Sequence, residues 1–454
     1  MKNLLAPIEP LIRLCTIIFF GFYLALIQFT TSYPYIHLLP IPTPALLTLV
    51  MSFLFFLFWY VAKQYKAEKY KTDDIVKFFV LLFALSILLS LLSAIYTSTV
   101  IKSIEYQSYL KRSLITRILY YVTFLVMVFF GYKSLVILKM KKSLKIIKVY
   151  PISVLLLIII GLWQLLYFLY GVPFLDIETR SYVHSVSKLT FFNFRLTSFA
   201  DEPSYLGPII IDMLIIGFIA FKRKWIYILV LAIPGLILQL FSFSVSGYFN
   251  IALLAAFLFV YLIFHPKFPK KYLFILIGII VGVILVALLL KPEIFIKFFS
   301  PILGRVNNLF NVQSSSRIYM YVMPLYWLFD HSIFSALFGY GPGSFEFLSS
   351  TKILPNTGSV STSSNNMYID LFFENGVIGV TLILIGLAGL FFKLLKYGRE
   401  NIYYFIALME YVHLLITSSY RADFVTPRFW GVLLIIFVLM RCGEEIKRKN
   451  SLVE

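Results

Sequence analysis

Residues 366–392 read NMYIDLFFENGVIGVTLILIGLAGLFF, an apolar run with two acids, Asp370 and Glu374, close to its start. A bilayer core of about 30 Å takes about 20 apolar residues to cross as a helix, so this stretch predicts a membrane span. Residues four apart share a helix face, and a carboxylate at membrane depth costs at least about 2 kcal/mol unless it is paired or hydrated. The pair therefore predicts either an interhelical hydrogen-bonded contact or the wall of a hydrated cavity. Outward from this stretch lie eleven more runs of the same kind, roughly 11–30, 41–62, 75–97, 114–138, 149–170, 203–221, 225–242, 247–264, 273–290, 401–418 and 427–442. The chain reads as an all-α polytopic membrane protein of about twelve spans.

The composition agrees. Of 454 residues 60% are hydrophobic and only 13% charged, which excludes a water-soluble surface. The net charge of +19 lies in short clusters between apolar runs, so it does not form a nucleic-acid-binding face. Two cysteines, Cys15 and Cys442, sit in the first and last runs and make neither a disulfide framework nor a zinc or redox motif. The first run follows a single early lysine and has no small-residue cleavage site after it, which predicts a retained span.

Alternate turns are Lys-rich: Lys63 to Lys66, Lys139 to Lys148, Lys222 to Lys224, Lys267 to Lys271, Lys393 to Arg399 and Arg441 to Lys449. The positive-inside rule makes these cytoplasmic and puts both termini inside. Sorted by side, 21 Lys and 5 Arg fall inside against 6 Lys and 8 Arg outside. Topology needs only positive charge, whereas a planar guanidinium fork suits bidentate binding of phosphate or carboxylate, so the outer preference for Arg predicts an external anion site. The expected organisation is a five-span region (1–170), an external loop (171–202), a four-span core (203–290), a larger external loop (291–365) and a three-span region (366–454). Long outer loops are usually functional. Within the larger one, Arg317 to Asp330 is aromatic and too short to span, and it predicts an interfacial helix kinked at Pro324.

Three constellations could carry chemistry. The first runs from Arg195 to Gly207. Pro203 suits the first turn of the following helix, which places Asp201 and Glu202 at its positive N-terminal end, and Gly207-Pro208 predicts a break that opens backbone groups at the helix head. Helix-end electrostatics alone would explain the two acids, though not Arg195 beside them. The second pairs Ser314-Ser-Ser-Arg317 with Gly339-Tyr-Gly341, whose glycines could let backbone N–H groups approach a ligand. No strand precedes this turn and no Lys-Ser/Thr follows it, which excludes a nucleotide-binding P-loop. The third is Ser363 to Gly379, with Asn365, Asn366, Tyr368, Asp370 and Glu374. Arg421, Asp423 and Arg428 crowd the last outer turn, while Asp212, Glu410 and His413 lie at membrane depth; a buried histidine of this kind is more often structural than catalytic. No His/Cys/Glu spacing supports a metal.

In this order and on these spans, the three constellations resemble the O-antigen polymerase and ligase superfamily, over roughly residues 190–392. The ligases of that family carry a His directly before the Asn of the third motif, where this chain has Asn365, so the resemblance leans toward Wzy-type polymerases. It implies transfer of a growing glycan from undecaprenyl diphosphate to another lipid-linked repeat unit, on the outer, periplasmic face of the bacterial inner membrane, without nucleotide sugar or cofactor. Arg195 and Arg317, with Arg421 third, would hold the departing diphosphate. Glu202, or else Asp201, would take the proton of the attacking hydroxyl. Asn365, Asn366, Tyr368, Gly339, Gly341 and Glu374 would contact substrate. The implied partners are the lipid-linked oligosaccharide, membrane lipids and, as a candidate, a chain-length-regulating membrane protein. A ligase and a flippase remain the alternatives.

Overall fold

The computed structural model describes residues 8–29, 43–65, 73–138, 140–174, 195–200, 202–222, 224–266, 316–354 and 360–450, with scattered helical positions between 269 and 307. Among these residues every regular element is helical. In chain order they are α1 (Glu9–Leu26), α2 (Thr43–Tyr65), α3 (Asp74–Val100), α4 (Ile104–Lys111), α5 (Ser113–Ile137), α6 (Met140–Ile147), α7 (Val149–Tyr170), α8 (Pro203–Ala220), α9 (Trp225–Phe241), α10 (Val245–Ile263), α11 (Ser316–Trp327), α12 (Ile333–Phe338), α13 (Phe345–Thr351), α14 (Met367–Gly398), α15 (Ile402–Ser418) and α16 (Pro427–Asn450). Eight helical stretches are long and apolar enough to cross a membrane, and α9 and α15 are shorter apolar helices. Of the twelve expected runs, 273–290 lies largely outside the described residues, with helix at Ile275, Gly278, Gly282 and Leu285.

Two segments read as connections are helices. Between the third and fourth spans Ser103 caps α4, its hydroxyl accepting from the Tyr106 N–H at 3.3 Å. The basic stretch after α5 folds as α6, because Leu144, Ile146 and Ile147 line one face while lysines fill the other. The larger outer loop contributes α11, with Pro324 inside it, then α12 and α13.

The core is built on α16. Nearly every side chain from Phe429 to Met440 is buried, because α16 lies against α5 on one side and α15 on the other. A helix apolar all round is a buried helix. The outer helices instead expose Leu81, Ile95, Leu119 and similar residues, the belt expected of a lipid-facing surface. On the face of the Lys-rich turns Lys393 pairs with Asp73 and approaches Glu444 at 3.8 Å, so α3, α14 and α16 are tied together there.

Packed along α3, α14 is not a regular helix. At Gly376 the chain takes φ +67°, a conformation that disfavours any side chain. The break leaves the carbonyls of Phe373 and Glu374 without their helical partners, and in a membrane these must be satisfied locally. Tyr340 N–H donates to Phe373 O at 3.2 Å, Gly341 N–H to Glu374 O at 3.1 Å, and the Ser90 hydroxyl also donates to Glu374 O. The Gly-Tyr-Gly turn is thus docked into the broken span. Gly339, with φ +86°, has no room for a Cβ against Glu374 O, and Tyr340 stacks on Phe373 with ring centroids 4.5 Å apart.

Candidate functional site

On the face opposite the Lys-rich turns two charged regions meet at a single 3₁₀ turn, Asp423–Val425. The first begins at the head of α8. Glu202 is the N-cap residue and Pro203 opens the helix. The Glu202 carboxylate accepts from the Ser204 hydroxyl at 3.1 Å and makes no capping bond to the helix backbone. One residue further, Tyr205 presents its ring face to the Arg421 guanidinium at 3.9 Å, a cation–π contact that brings the last outer turn against α8. Asp201 lies outside the described residues. Gly207-Pro208 does not break the helix, which runs continuously from Pro203 to Ala220. Gly207 instead brings α8 close to Gly247 of α10 and to Gln239.

The segment before α8 is held from a neighbouring span. Gln164 of α7 accepts through its side-chain oxygen from the N–H groups of Thr197 and Ser198, at 3.0 and 2.9 Å, and Ser198 sits at φ +54° with its hydroxyl on Leu157 O. Leu196 N–H reaches Phe241 O. These bonds fix Arg195 over the α9–α10 turn, where its Nε donates to Ser242 O at 3.3 Å. Gln164 did not stand out in the sequence, since one amide in an apolar span has no motif around it.

Beneath this cluster runs a sealed ionic chain. Arg421 Nε binds Asp423 at 2.8 Å, the other Asp423 oxygen takes Arg428 Nη1 at 2.7 Å, and Arg428 forks through Nε and Nη2 onto both oxygens of Asp212, each at 2.9 Å. Tyr150 donates its hydroxyl to Asp212, and both ring nitrogens of His413 face oxygen, Nδ1 on Asn250 and Nε2 between Pro208 O and Asp212. Every charge in the chain is opposed, as burial in a membrane requires. Among the described residues two groups at this network are incomplete: Glu410, buried beside Asp212 with neither carboxylate oxygen hydrogen-bonded, and Arg421. Arg421 is 7% exposed and its Nη1 is buried without a hydrogen-bond partner. An unmatched buried guanidinium donor facing the head of α8 is the kind of group an anionic ligand satisfies.

The second region lies on the other side of the same turn, where Phe424 sits under Arg117, 5.9 Å from ring centroid to guanidinium carbon. An open cavity of about 670 Å³ is lined there by residues of the α4–α5 junction, among them Lys111, Arg112 and Arg117. Asp370 and Glu374 lie behind it, both buried. Ser363 and Ser364 donate to Asp370, and Tyr121 donates to Glu374 at 2.9 Å, while Arg117 stands 3.9 Å from Glu374. The α4–α5 junction was not among the sequence candidates, because its cations lie outside the long loops.

The remaining candidates are spread between these regions. Asn365 is exposed, at φ +58°. Asn366 caps α14, its side chain accepting from the Tyr368 and Ile369 N–H groups, and Tyr368 donates to Leu415 O. Gly339 and Gly341 spend their N–H groups on Ser335 O and Glu374 O. Arg317 lies on the first turn of α11, and its side chain is outside the described residues. Among the described residues no group of three His, Cys, Asp or Glu is placed to hold a metal ion.

Residues 249–384 match the model of a family described as O-antigen ligase. The match supports membership of the O-antigen polymerase and ligase superfamily. The match takes in Arg317, the Gly-Tyr-Gly turn and the broken head of α14, and stops short of Arg195 and Glu202 on one side and Arg421 on the other. Membership supports a polymerase- or ligase-type function in a membrane, of the glycosyl-transfer kind. Comparison with characterised proteins finds no match.

Proposed function

We propose that the protein joins oligosaccharide repeat units carried on undecaprenyl diphosphate into a surface polysaccharide, at the outer face of the cytoplasmic membrane. The observation that carries this reading is the buried, incompletely bonded Arg421 guanidinium against Tyr205 at the head of α8, three residues from Glu202. The reaction breaks the bond between the anomeric carbon and the diphosphate oxygen, whose electrons stay with the leaving diphosphate. Positive charge already in place at that oxygen lowers the barrier without reorganisation. Arg421, Arg195 and Arg317 supply it. The acceptor hydroxyl attacks the anomeric carbon and gives its proton to a carboxylate, for which Glu202 is first choice and Asp201 second. Asn365 presents a free-standing amide at the surface for sugar hydroxyls. Asn366 and Tyr368 act by holding the head of α14, and Gly339, Gly341 and Glu374 by keeping the outer loop docked on it.

The test is the protein reconstituted in liposomes with lipid-linked repeat units, scored for a ladder of polymer. Glu202→Gln keeps size and removes basicity, and is expected to slow ladder formation about 10²–10⁴-fold with the protein still folded. Near-normal ladders would move the proton acceptor away from Glu202. A second reading, ligation of finished glycan to an acceptor, is favoured by the description of the matched family. Cells lacking the protein separate the readings: single repeat units left on the carrier mean polymerase, full-length unattached polymer means ligase, and repeat units trapped on the inner leaflet mean flippase.

A further inference from the structure

The cavity at the α4–α5 junction takes no part in the reaction just described, and its chemistry is specific. Its volume of about 670 Å³ is in the range that encloses a small ligand rather than a water cluster. Lys111, Arg112 and Arg117 line it against one wall acid, Glu346, whose carboxylate is engaged by the Ser113 hydroxyl. Lys111 and Arg112 are exposed at its rim, while Arg117 stands deeper, beside Tyr121 and 3.9 Å from the buried Glu374. The other polar residues of the wall bear hydroxyls, Ser113, Thr116, Tyr120, Thr362 and Ser363, and Ile115, Gly343 and Val425 complete it. Glu374 is opposed by Arg117 and Tyr121, and Asp370 is held by the Ser363 and Ser364 hydroxyls, so the cations left toward the opening are Lys111 and Arg112.

We infer that this cavity binds an acidic sugar residue of the glycan, one bearing a carboxylate or a phosphate group. Hydroxyl side chains match the hydroxyls of a sugar ring, and guanidinium and ammonium groups match its anionic substituent. A neutral sugar would leave Lys111 and Arg112 facing an uncharged ligand. The cavity is separated from Arg421 by the Asp423–Val425 turn, so it holds a residue away from the reacting bond and selects the glycan by charge. The inference rests on the glycan-transfer reading for the identity of the ligand, while its test reads binding alone.

The experiment titrates the full-length protein in lipid nanodiscs with a glucuronate-containing disaccharide and with the same disaccharide as its neutral methyl ester. The acid is expected to bind about tenfold or more tightly than the ester, with affinity falling as salt rises. Lys111→Gln with Arg112→Gln should lose at least about tenfold for the acid and leave the ester unchanged; both residues are exposed, and single Arg112→Gln gives a partial loss as a second measure. Equal binding of acid and ester, or an unaltered double variant, overturns the inference. So does tighter binding of farnesyl diphosphate that the same double variant abolishes, since the cavity would then be a lipid-diphosphate site. Arg421→Lys distinguishes the two readings: unchanged disaccharide binding with lost ladders supports both, whereas retained binding with normal ladders removes the proposed role of Arg421 and leaves the cavity assignment standing.

Discussion

Arg428 and Arg117 stand on opposite sides of one short 3₁₀ turn, and the turn divides its side chains between them: Asp423 goes to the first, Phe424 and Val425 to the second. Arg428 is enclosed, with each of its three nitrogens bonded to one of two carboxylates. Arg117 is partly exposed, faces an open cavity and meets its acid only at 3.9 Å. The same residue type in the same membrane protein therefore serves two ends. A guanidinium whose nitrogens are all bonded within the protein holds helices together, and one whose donors are left over can hold a ligand. Arg421 lies between them, anchored by Asp423 through Nε and open through Nη1.

The comparison breaks most visibly at Arg428. Removing it strands Asp212 and Asp423 in a buried, low-dielectric site, which costs about 3–5 kcal/mol. Arg428→Met should give little folded protein in detergent, measured by monodisperse yield and thermal midpoint; wild-type stability would show that the network is not what ties α8, α15 and α16 together. Next in size is the loss at the proposed reaction centre. Arg195→Lys or Arg317→Lys keeps charge but loses the fork, and is expected to cut ladder formation about 10²-fold with normal expression. A Lys variant that polymerises at the wild-type rate removes that residue from the anion clamp. Smaller again is Arg117→Gln, which should destabilise by about 1–3 kcal/mol, since it leaves the buried Glu374 with Tyr121 as its remaining side-chain partner. A shift as large as that of Arg428→Met would make the cavity wall as structural as the sealed network. Last is Lys142→Gln, on the exposed face of α6, where a change within about 0.5 kcal/mol and unaltered ladders are expected. Lost polymer with correct topology would contradict the assignment of lysine to topology and arginine to chemistry.

Most of the spans were legible as runs of apolar residues, and their observed ends differ from the expected ones by a few residues. Asp370 and Glu374 were legible as a pair that needed partners, although Ser363, Ser364 and Tyr121 could not be named from spacing. The Gly-Tyr-Gly turn carried a signal with a different use: a close backbone approach to a ligand was expected, and the approach that its positive φ permits is to the Glu374 backbone. Gly207-Pro208 is similar, a suspected break that is a close helix crossing.

What the sequence determined by itself was the helical, membrane-spanning character of the chain, the placement of most of its apolar helices and which turns are basic. These follow from local composition, because burial in lipid is decided residue by residue and a helix satisfies its own backbone. What only the tertiary structure decided was which charges cancel. Asp212 meets Arg428 across 216 positions, Tyr121 meets Glu374 across 253, and Gln164 reaches back to Thr197 from another span. Pairing of this kind depends on side chains brought within 3 Å by helix packing, and an apolar run long enough to cross a membrane carries no mark of which neighbour it will lie against.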